Sequence, residues 1–120
     1  NSLGSDRVRI HDFILAGALG IGGAEPSGCE AANSLAFIDG GGTVFPCETL
    51  SVPMGNLSRK GLEVIWASPL RRRIRQDVAS LPAMCSACPE VSRCRAGCRG
   101  AVYHLKGHYG APDPLCPENK

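Results

Sequence analysis

The amino-acid sequence predicts a small α+β domain with a β-hairpin, two to three short helices and irregular cysteine-rich loops. Three observations support this fold class. The 120 residues form at most one domain, and a domain of this size buries a smaller share of its surface than a larger one. Only 5% of the residues are aromatic, whereas 15 are Gly and 9 are Pro, so loops and turns should be frequent. Seven cysteines supply thiolates that would staple such a small core through bonds to metal.

The chain divides into two parts of different composition. Residues 1–28 form a mixed lead-in segment, in which closely spaced glycines argue against one stable helix. Residues 29–117 contain all seven cysteines and form the predicted domain. The chain begins with Asn1 rather than Met, which indicates a piece or a processed product of something longer.

A β-hairpin is predicted to end at the second cysteine. The runs 34–38 and 43–47 have β-prone compositions and are separated by Asp39 and three glycines. These turn residues adopt the positive φ angles that a tight hairpin requires. The hairpin therefore ends at Cys47.

Two helices are predicted between the hairpin and the third cysteine. The first is short and lies around 62–67, after a loop at 52–56. The second begins with Ser68 as its cap and Pro69 at its first position, and it runs to about Ser80. Its apolar residues recur every four positions and should pack inward, and its arginines should face solvent, with a docking surface as the alternative. The apolar residues are Leu70, Ile74 and Val78, and the arginines are Arg71, Arg72, Arg73 and Arg75.

A cysteine-rich loop and a third helix complete the predicted elements. Residues 85–98 contain four cysteines and should form an irregular loop. In the helix that follows, Cys98 begins an apolar pattern with helical spacing, which places it on the buried face. The proline-rich tail 107–117 cannot continue the helix and should return Cys116 to the loop.

The spacing of the four clustered cysteines, C-x2-C-x5-C-x3-C, is typical of an iron–sulfur site. One tetrahedral zinc is the alternative, but zinc ribbons usually combine two C-x2-C knuckles, and three further cysteines would remain unused. In two-cluster ferredoxins the last cysteine of such a run binds the other cluster. The same interleaving would let Cys98 join Cys29 and Cys47, with Cys116 completing the set of Cys85, Cys88 and Cys94.

Charge, hydropathy and histidine spacing restrict the function classes. A net charge of +2 does not argue for a nucleic-acid partner. The longest apolar run, 13–23, is shorter than the roughly 20 residues of a membrane span, and no signal peptide is evident. We therefore expect a soluble, cytoplasmic protein whose thiols stay reduced. The three histidines do not have the spacing of zinc-finger ligands; they are His11, His104 and His108.

The cysteines and the residues between them resemble the seven-cysteine SPASM domain of radical SAM enzymes. The resemblance covers 29–117 and includes Gly42 and three supporting motifs: Val44-Phe45-Pro46-Cys47, Gly55-Asn56-Leu57 and Glu63-Val64-Ile65-Trp66. A narrower resemblance is to the stand-alone SPASM proteins of GeoRSP-type gene systems. It rests on Cys29-Glu30-Ala31-Ala32-Asn33 and Asp113-Pro114-Leu115-Cys116.

The resemblance implies two auxiliary [4Fe–4S] clusters. Position by position, the first would be held by Cys29, Cys47 and Cys98, and the second by Cys85, Cys88, Cys94 and Cys116. The first cluster then has three protein thiolates and an open fourth ligand. The nearest carboxylates in sequence are Glu30, Asp39 and Glu48.

The resemblance also implies a role beside a catalytic partner. Radical SAM catalysis requires a C-x3-C-x2-C motif and a barrel, and this chain contains no such motif and is too short for the barrel. It therefore has no S-adenosylmethionine site and should be part or partner of a radical SAM enzyme that modifies a ribosomal peptide. Electron relay or substrate binding would be its contribution. The charges of Arg93, Arg95 and Arg99 would favour the reduced clusters, and the alternative is that these are ordinary surface arginines. The alternatives are a non-redox adaptor and a zinc-stapled structural or interaction module.

Overall fold

A three-stranded antiparallel sheet and five short helices make up the described part of the chain, which in this computed structural model is residues 28–118. The α+β fold class is thereby confirmed. The predicted lead-in segment 1–28 lies outside the described residues except for Gly28. The strands are β1 (Phe37–Ile38), β2 (Thr43–Phe45) and β3 (Gly55–Asn56), and the helices are α1 (Leu62–Trp66), α2 (Pro69–Ala79), α3 (Ala83–Ser86), α4 (Val91–Cys94) and α5 (Arg99–Lys106).

The predicted β-hairpin is present, with shorter strands than the sequence indicates. Phe37 of β1 pairs with Phe45 of β2, and the two strands run antiparallel. The Asp39 carboxylate closes the turn between them, because its Oδ1 accepts the backbone N–H groups of Gly41 and Thr43 at 2.9 Å each. This local hydrogen bonding is typical of Asp in turns.

The third strand, β3, lies in a segment that the sequence predicts as loop. It pairs with the other side of β2, where Val44 lies opposite Gly55. Its two residues have low β propensity, so no local pattern indicates a strand. The Asn56 side chain compensates, since its Nδ2 donates to the Gly41 carbonyl at 3.1 Å and to Thr43 Oγ1 at 3.2 Å.

The hydrophobic core lies where the central strand β2 meets α1 and α2. Its buried residues are Ala31, Ala32, Val44, Leu50, Met54, Ile65, Ile74 and Val78. Ile65 packs tightly against β3, because a Cβ atom on Gly55 would lie 2.9 Å from Ile65 Cγ1. Glycine at 55 therefore permits the close approach of α1 to the sheet.

Helix α2 has nearly the predicted bounds. The Ser68 hydroxyl accepts the backbone N–H of Arg71 at 3.1 Å, which is the expected cap. Ile74 and Val78 are buried, but Leu70 is 48% exposed, so its predicted inward position is wrong. The first turn of α2 extends beyond the core, and there the Arg71 side chain contacts Trp66.

Helix α5 begins as predicted, but Cys98 is its N-cap and is exposed rather than on the buried face. The apolar pattern therefore does not mark a buried face along the whole helix, and Leu105 at its other end is 62% exposed. The predicted irregular loop 85–98 also contains the one-turn helix α4, and α3 begins just before it. The tail folds back on α5, since the ring of Tyr109 stacks on that of Tyr103 at 4.9 Å between centroids.

No helix among residues 28–118 combines the length and the apolar character needed to cross a membrane.

The contact between Gly55 and Ile65 gives a test of the core. We expect Gly55→Ala to lower the free energy of unfolding by about 1 to 3 kcal/mol, because the new methyl group overpacks the core. Gly40→Ala is the matched control, since a Cβ atom there meets nothing within 4 Å. Thermal unfolding of anaerobically purified protein, followed by circular dichroism, measures both. Equal melting temperatures for wild type and Gly55→Ala would show that Ile65 moves aside freely.

Candidate metal centre

All seven cysteines are free thiols, and the neighbours that shift the pKa values of Cys29 and Cys85 define two groups. Burial raises the pKa of Cys29, and the neighbouring thiolates of Cys47 and Cys98 raise it further. We call these three residues the first group. Burial also raises the pKa of Cys85, and there the thiolates that add to the shift belong to Cys88, Cys94 and Cys116. These four residues are the second group.

The first group lies around the N-terminus of α5. The backbone N–H groups of Ala31 and of Arg99, the first residue of the helix, partly offset the upward shift that burial gives the pKa of Cys29. The N–H of Ala101 donates to Cys98 Sγ at 3.4 Å. The first N–H groups of a helix have no partner inside it, and they favour negative charge. Two thiolates of the first group therefore have donors supplied by α5.

Cys47 lies close to the N-terminus of α5 because residue 100 is a glycine. A Cβ atom on Gly100 would lie 3.4 Å from Cys47 Sγ and would collide with Thr49 Oγ1. The Thr49 hydroxyl is itself within 3.4 Å of Cys47 Sγ. The missing side chain thus permits the close approach of Thr49 and Cys47 to the start of α5.

Two arginines of α2 hold the loop that contains Cys29. Arg75 Nη1 donates to the carbonyl of Cys29 at 2.6 Å and to that of Ala31 at 3.1 Å. Arg71 Nη1 donates to the carbonyl of Ala32 at 3.1 Å. The prediction of a solvated arginine face is therefore wrong for Arg71 and Arg75. Their spacing of four residues, which puts both on one side of the helix, is the signal that could have separated them from the exposed Arg72 and Arg73.

The second group depends on a left-handed turn that follows Cys94. Arg95, Ala96 and Gly97 have φ angles of 47°, 69° and 68°, a conformation rare for residues with a side chain. The Gly97 N–H donates to the Cys94 carbonyl at 3.0 Å. Burial raises the pKa of Cys94, the N–H groups of Gly97 and Ala96 oppose this shift, and the charges of Cys116 and Asp113 add to it. This turn also reverses the chain between Cys94 and Cys98, which lie in different groups.

Asp113 contacts a cysteine of each group, a role that its place in the motif Asp113-Pro114-Leu115-Cys116 does not indicate. It is 6% exposed, and its Oδ2 accepts the backbone N–H of Cys98 at 2.6 Å. Its Oδ1 accepts the N–H of Leu115 at 2.7 Å, and its carbonyl accepts the N–H of Cys116 at 2.9 Å. The only local signal is an Asp-Pro pair just before a cysteine, which favours a turn.

The carboxylates near the first group have local roles. Glu30 accepts hydrogen bonds from Asn33 Nδ2 and Ser34 Oγ at 2.7 Å each, and Asp39 closes the hairpin turn. Glu48 is exposed. None of these contacts identifies a fourth ligand.

Two kinds of metal site take thiolate ligands. Among residues 28–118, no three His, Cys, Asp or Glu side chains are arranged to hold a metal ion. A structural zinc takes four ligands in a tetrahedron, with Zn–S bonds of about 2.3 Å, whereas a [4Fe–4S] cluster takes cysteine thiolates. Both groups contain only cysteines, which is the ligand set of such a cluster.

Comparisons with known proteins agree with this chemistry. The family model for SPASM, described as an iron–sulfur cluster-binding domain, matches residues 29–89. An AdoMet-dependent heme synthase from Methanosarcina barkeri (strain Fusaro / DSM 804) is 32% identical over 93 residues, or 78% of this chain. The match spans 26% of that relative's length. No solved structure matches the chain.

The hydrogen bonds of Arg75 give a test of the first group. We expect Arg75→Gln to loosen the Cys29 loop and to speed iron release to a chelator about tenfold or more. Hydrogen bonds to a charged group contribute about 1.5 to 3 kcal/mol, and this change removes two. Arg73→Gln, on the exposed face of the same helix, should release iron at the wild-type rate. Equal rates for wild type and Arg75→Gln would show that the loop keeps its shape without Arg75.

Proposed function

Because the chain belongs to the SPASM family of iron–sulfur cluster-binding domains, we propose that it binds two [4Fe–4S] clusters and supports a radical SAM enzyme. The first group, Cys29, Cys47 and Cys98, would hold one cluster with an open fourth ligand. The second group, Cys85, Cys88, Cys94 and Cys116, would hold the other. The observation that supports two clusters rather than one is the separation of the thiols into two groups, each with its own backbone donors.

The residues of this chain would bind the clusters and adjust their properties. When bound, each cluster supplies a one-electron redox couple. The N–H of Ala101 donates to Cys98 Sγ, and the N–H groups of Arg99 and of the turn after Cys94 act to lower the pKa values of Cys29 and Cys94. Such hydrogen bonds stabilise negative charge on sulfur, so they would favour the reduced clusters.

A catalytic partner follows from the length of the relative. This chain matches about a quarter of the AdoMet-dependent heme synthase and contains no C-x3-C-x2-C motif. We propose that S-adenosylmethionine is bound outside these 120 residues, either elsewhere in a longer polypeptide or on a separate protein. The partners would then be a radical SAM catalytic unit and its substrate, in the reducing cytoplasm.

For the substrate we propose a ribosomal peptide, to which this domain contributes electron relay, binding, or both. The family resemblance supports this substrate through the motifs around Cys29 and Cys116. A second candidate is a role in heme synthesis, which the name of the Methanosarcina relative favours.

Mass spectrometry distinguishes these two substrates. The chain is co-expressed with a radical SAM protein and a candidate precursor peptide, and both peptide and tetrapyrrole fractions are analysed. We expect a mass change in the peptide that disappears with Cys116→Ala. A changed tetrapyrrole with an unchanged peptide would support the heme candidate instead.

Cysteine substitutions test the two-cluster proposal. Wild-type protein purified without oxygen should contain about eight iron and eight sulfide, since each cluster has four of each. Cys29→Ala and Cys47→Ala should abolish one EPR signal of the dithionite-reduced protein, and Cys85→Ala and Cys94→Ala should abolish the other. Each variant should keep about half of the iron.

The pattern of losses decides the assignment. Zinc without iron in the wild type would make the domain a structural metal module. Loss of the same signal in all four variants would refute the division into two groups. Clusters that could not be reduced and reoxidised without unfolding would favour a non-redox adaptor over an electron relay.

A further inference from the structure

Arg99 is a fully buried cation that the proposed ligand sets do not include. Its side chain is 1% exposed, in contrast to Arg93 and Arg95, which are exposed. Arg93 forms a salt bridge with Glu90 at 2.6 Å. Of the three arginines near the cysteine run, only Arg99 therefore has its charge inside the domain.

The hydrogen bonds of Arg99 fix its guanidinium without neutralising it. Nη1 donates to the carbonyls of Ala96 at 2.9 Å and of Ala111 at 3.0 Å, and Nη2 donates to the carbonyl of Tyr109. No salt bridge to Arg99 is found within residues 28–118. Its Nε is a buried donor without a partner among the described residues. A buried cation held only by carbonyls is costly unless negative charge lies nearby.

The guanidinium of Arg99 lies at the turn between the two groups. Nη1 donates to the carbonyl of Ala96, which stands between Cys94 of the second group and Cys98 of the first. Arg99 itself follows Cys98 directly, as the first residue of the helix that Cys98 caps. Burial lowers the pKa of Arg99, and thiolates of both groups oppose this shift, first Cys85 and then Cys29. The charge of Arg99 therefore lies beside both groups.

We propose that Arg99 is a shared counter-charge that raises the reduction potentials of both clusters. Each cluster gains one negative charge when a chemical reductant such as dithionite donates one electron to it. A fixed positive charge stabilises that added electron, more strongly in a buried site than in water. The Nε–H, which has no partner among the described residues, would be free to donate to a sulfur of a bound cluster. This inference rests on the proposed binding of two clusters.

An EPR-monitored redox titration tests the proposal with three variants. Arg99→Gln removes the charge, Arg99→Lys keeps it without the guanidinium, and Arg93→Gln removes an exposed charge one residue from Cys94. At the wild-type midpoint, we expect Arg99→Gln to lower the ratio of reduced to oxidised cluster at least tenfold for both signals. For a one-electron couple this is a shift of about 59 mV to more negative potential. Arg99→Lys should shift less, and Arg93→Gln should not shift.

Iron analysis of the wild type distinguishes failure of the proposed function from failure of the proposed role of Arg99. Wild-type protein without two clusters would overturn the proposed function, and the role of Arg99 with it. Two clusters in wild type and Arg99→Gln with unchanged potentials would overturn the role of Arg99 alone. A shift confined to one signal would overturn the shared counter-charge.

A measurement on the wild type covers the case in which Arg99→Gln fails to fold. Protein labelled with ¹⁵N at arginine Nε is reduced, and the hyperfine coupling of ¹⁵N to the cluster signal is recorded. We expect a coupling that Arg93→Gln retains and Arg99→Lys loses. No coupling in the wild type would contradict a guanidinium beside the clusters.

Discussion

The reversal of the chain between Cys94 and Cys98 is the constraint on which the arrangement of the site depends. Three successive residues in the left-handed region turn the backbone within four positions. Such conformations cost free energy for residues with a Cβ atom, so the surroundings must compensate. The compensation is visible, because the Gly97 N–H donates to the Cys94 carbonyl and Asp113 accepts the N–H of Cys98. One short segment thus serves two cysteine groups.

Hydrogen bonds from side chains to the main chain stabilise segments that a larger hydrophobic core would otherwise hold in place. The core contains few large residues and no buried aromatic ring among residues 28–118. Arg71 and Arg75 join α2 to the Cys29 loop, and Arg99 joins the start of α5 to the folded-back tail. An arginine has five donors in a rigid fork and can hold several carbonyls at once. The irregular segments that present the cysteines are therefore fixed by guanidinium groups rather than by strands.

Features with local causes could be predicted from the sequence, and features that depend on distant contacts could not. Ser68-Pro69 determines the start of α2, and Asp39 with its glycines determines the hairpin turn. By contrast, β3 forms because Asn56 reaches across to Gly41 and Thr43. The structural roles of Arg75 and Asp113 could not be predicted for the same reason, since their hydrogen-bond partners lie 46 and 15 residues away in sequence. In the site, cysteine spacing indicates the ligands, but not which donors stabilise them.

The places where the chain departs from ordinary folding rules coincide with the proposed cofactor sites. Within residues 28–118, a buried arginine without a salt bridge, an unpartnered Nε and a left-handed turn at residues with side chains are each unfavourable alone. Natural proteins concentrate such violations at functional sites. The proposed clusters would place anionic sulfur beside Arg99 and the first N–H groups of α5. Binding of these clusters and stability of the domain would then be coupled through residues 94–99.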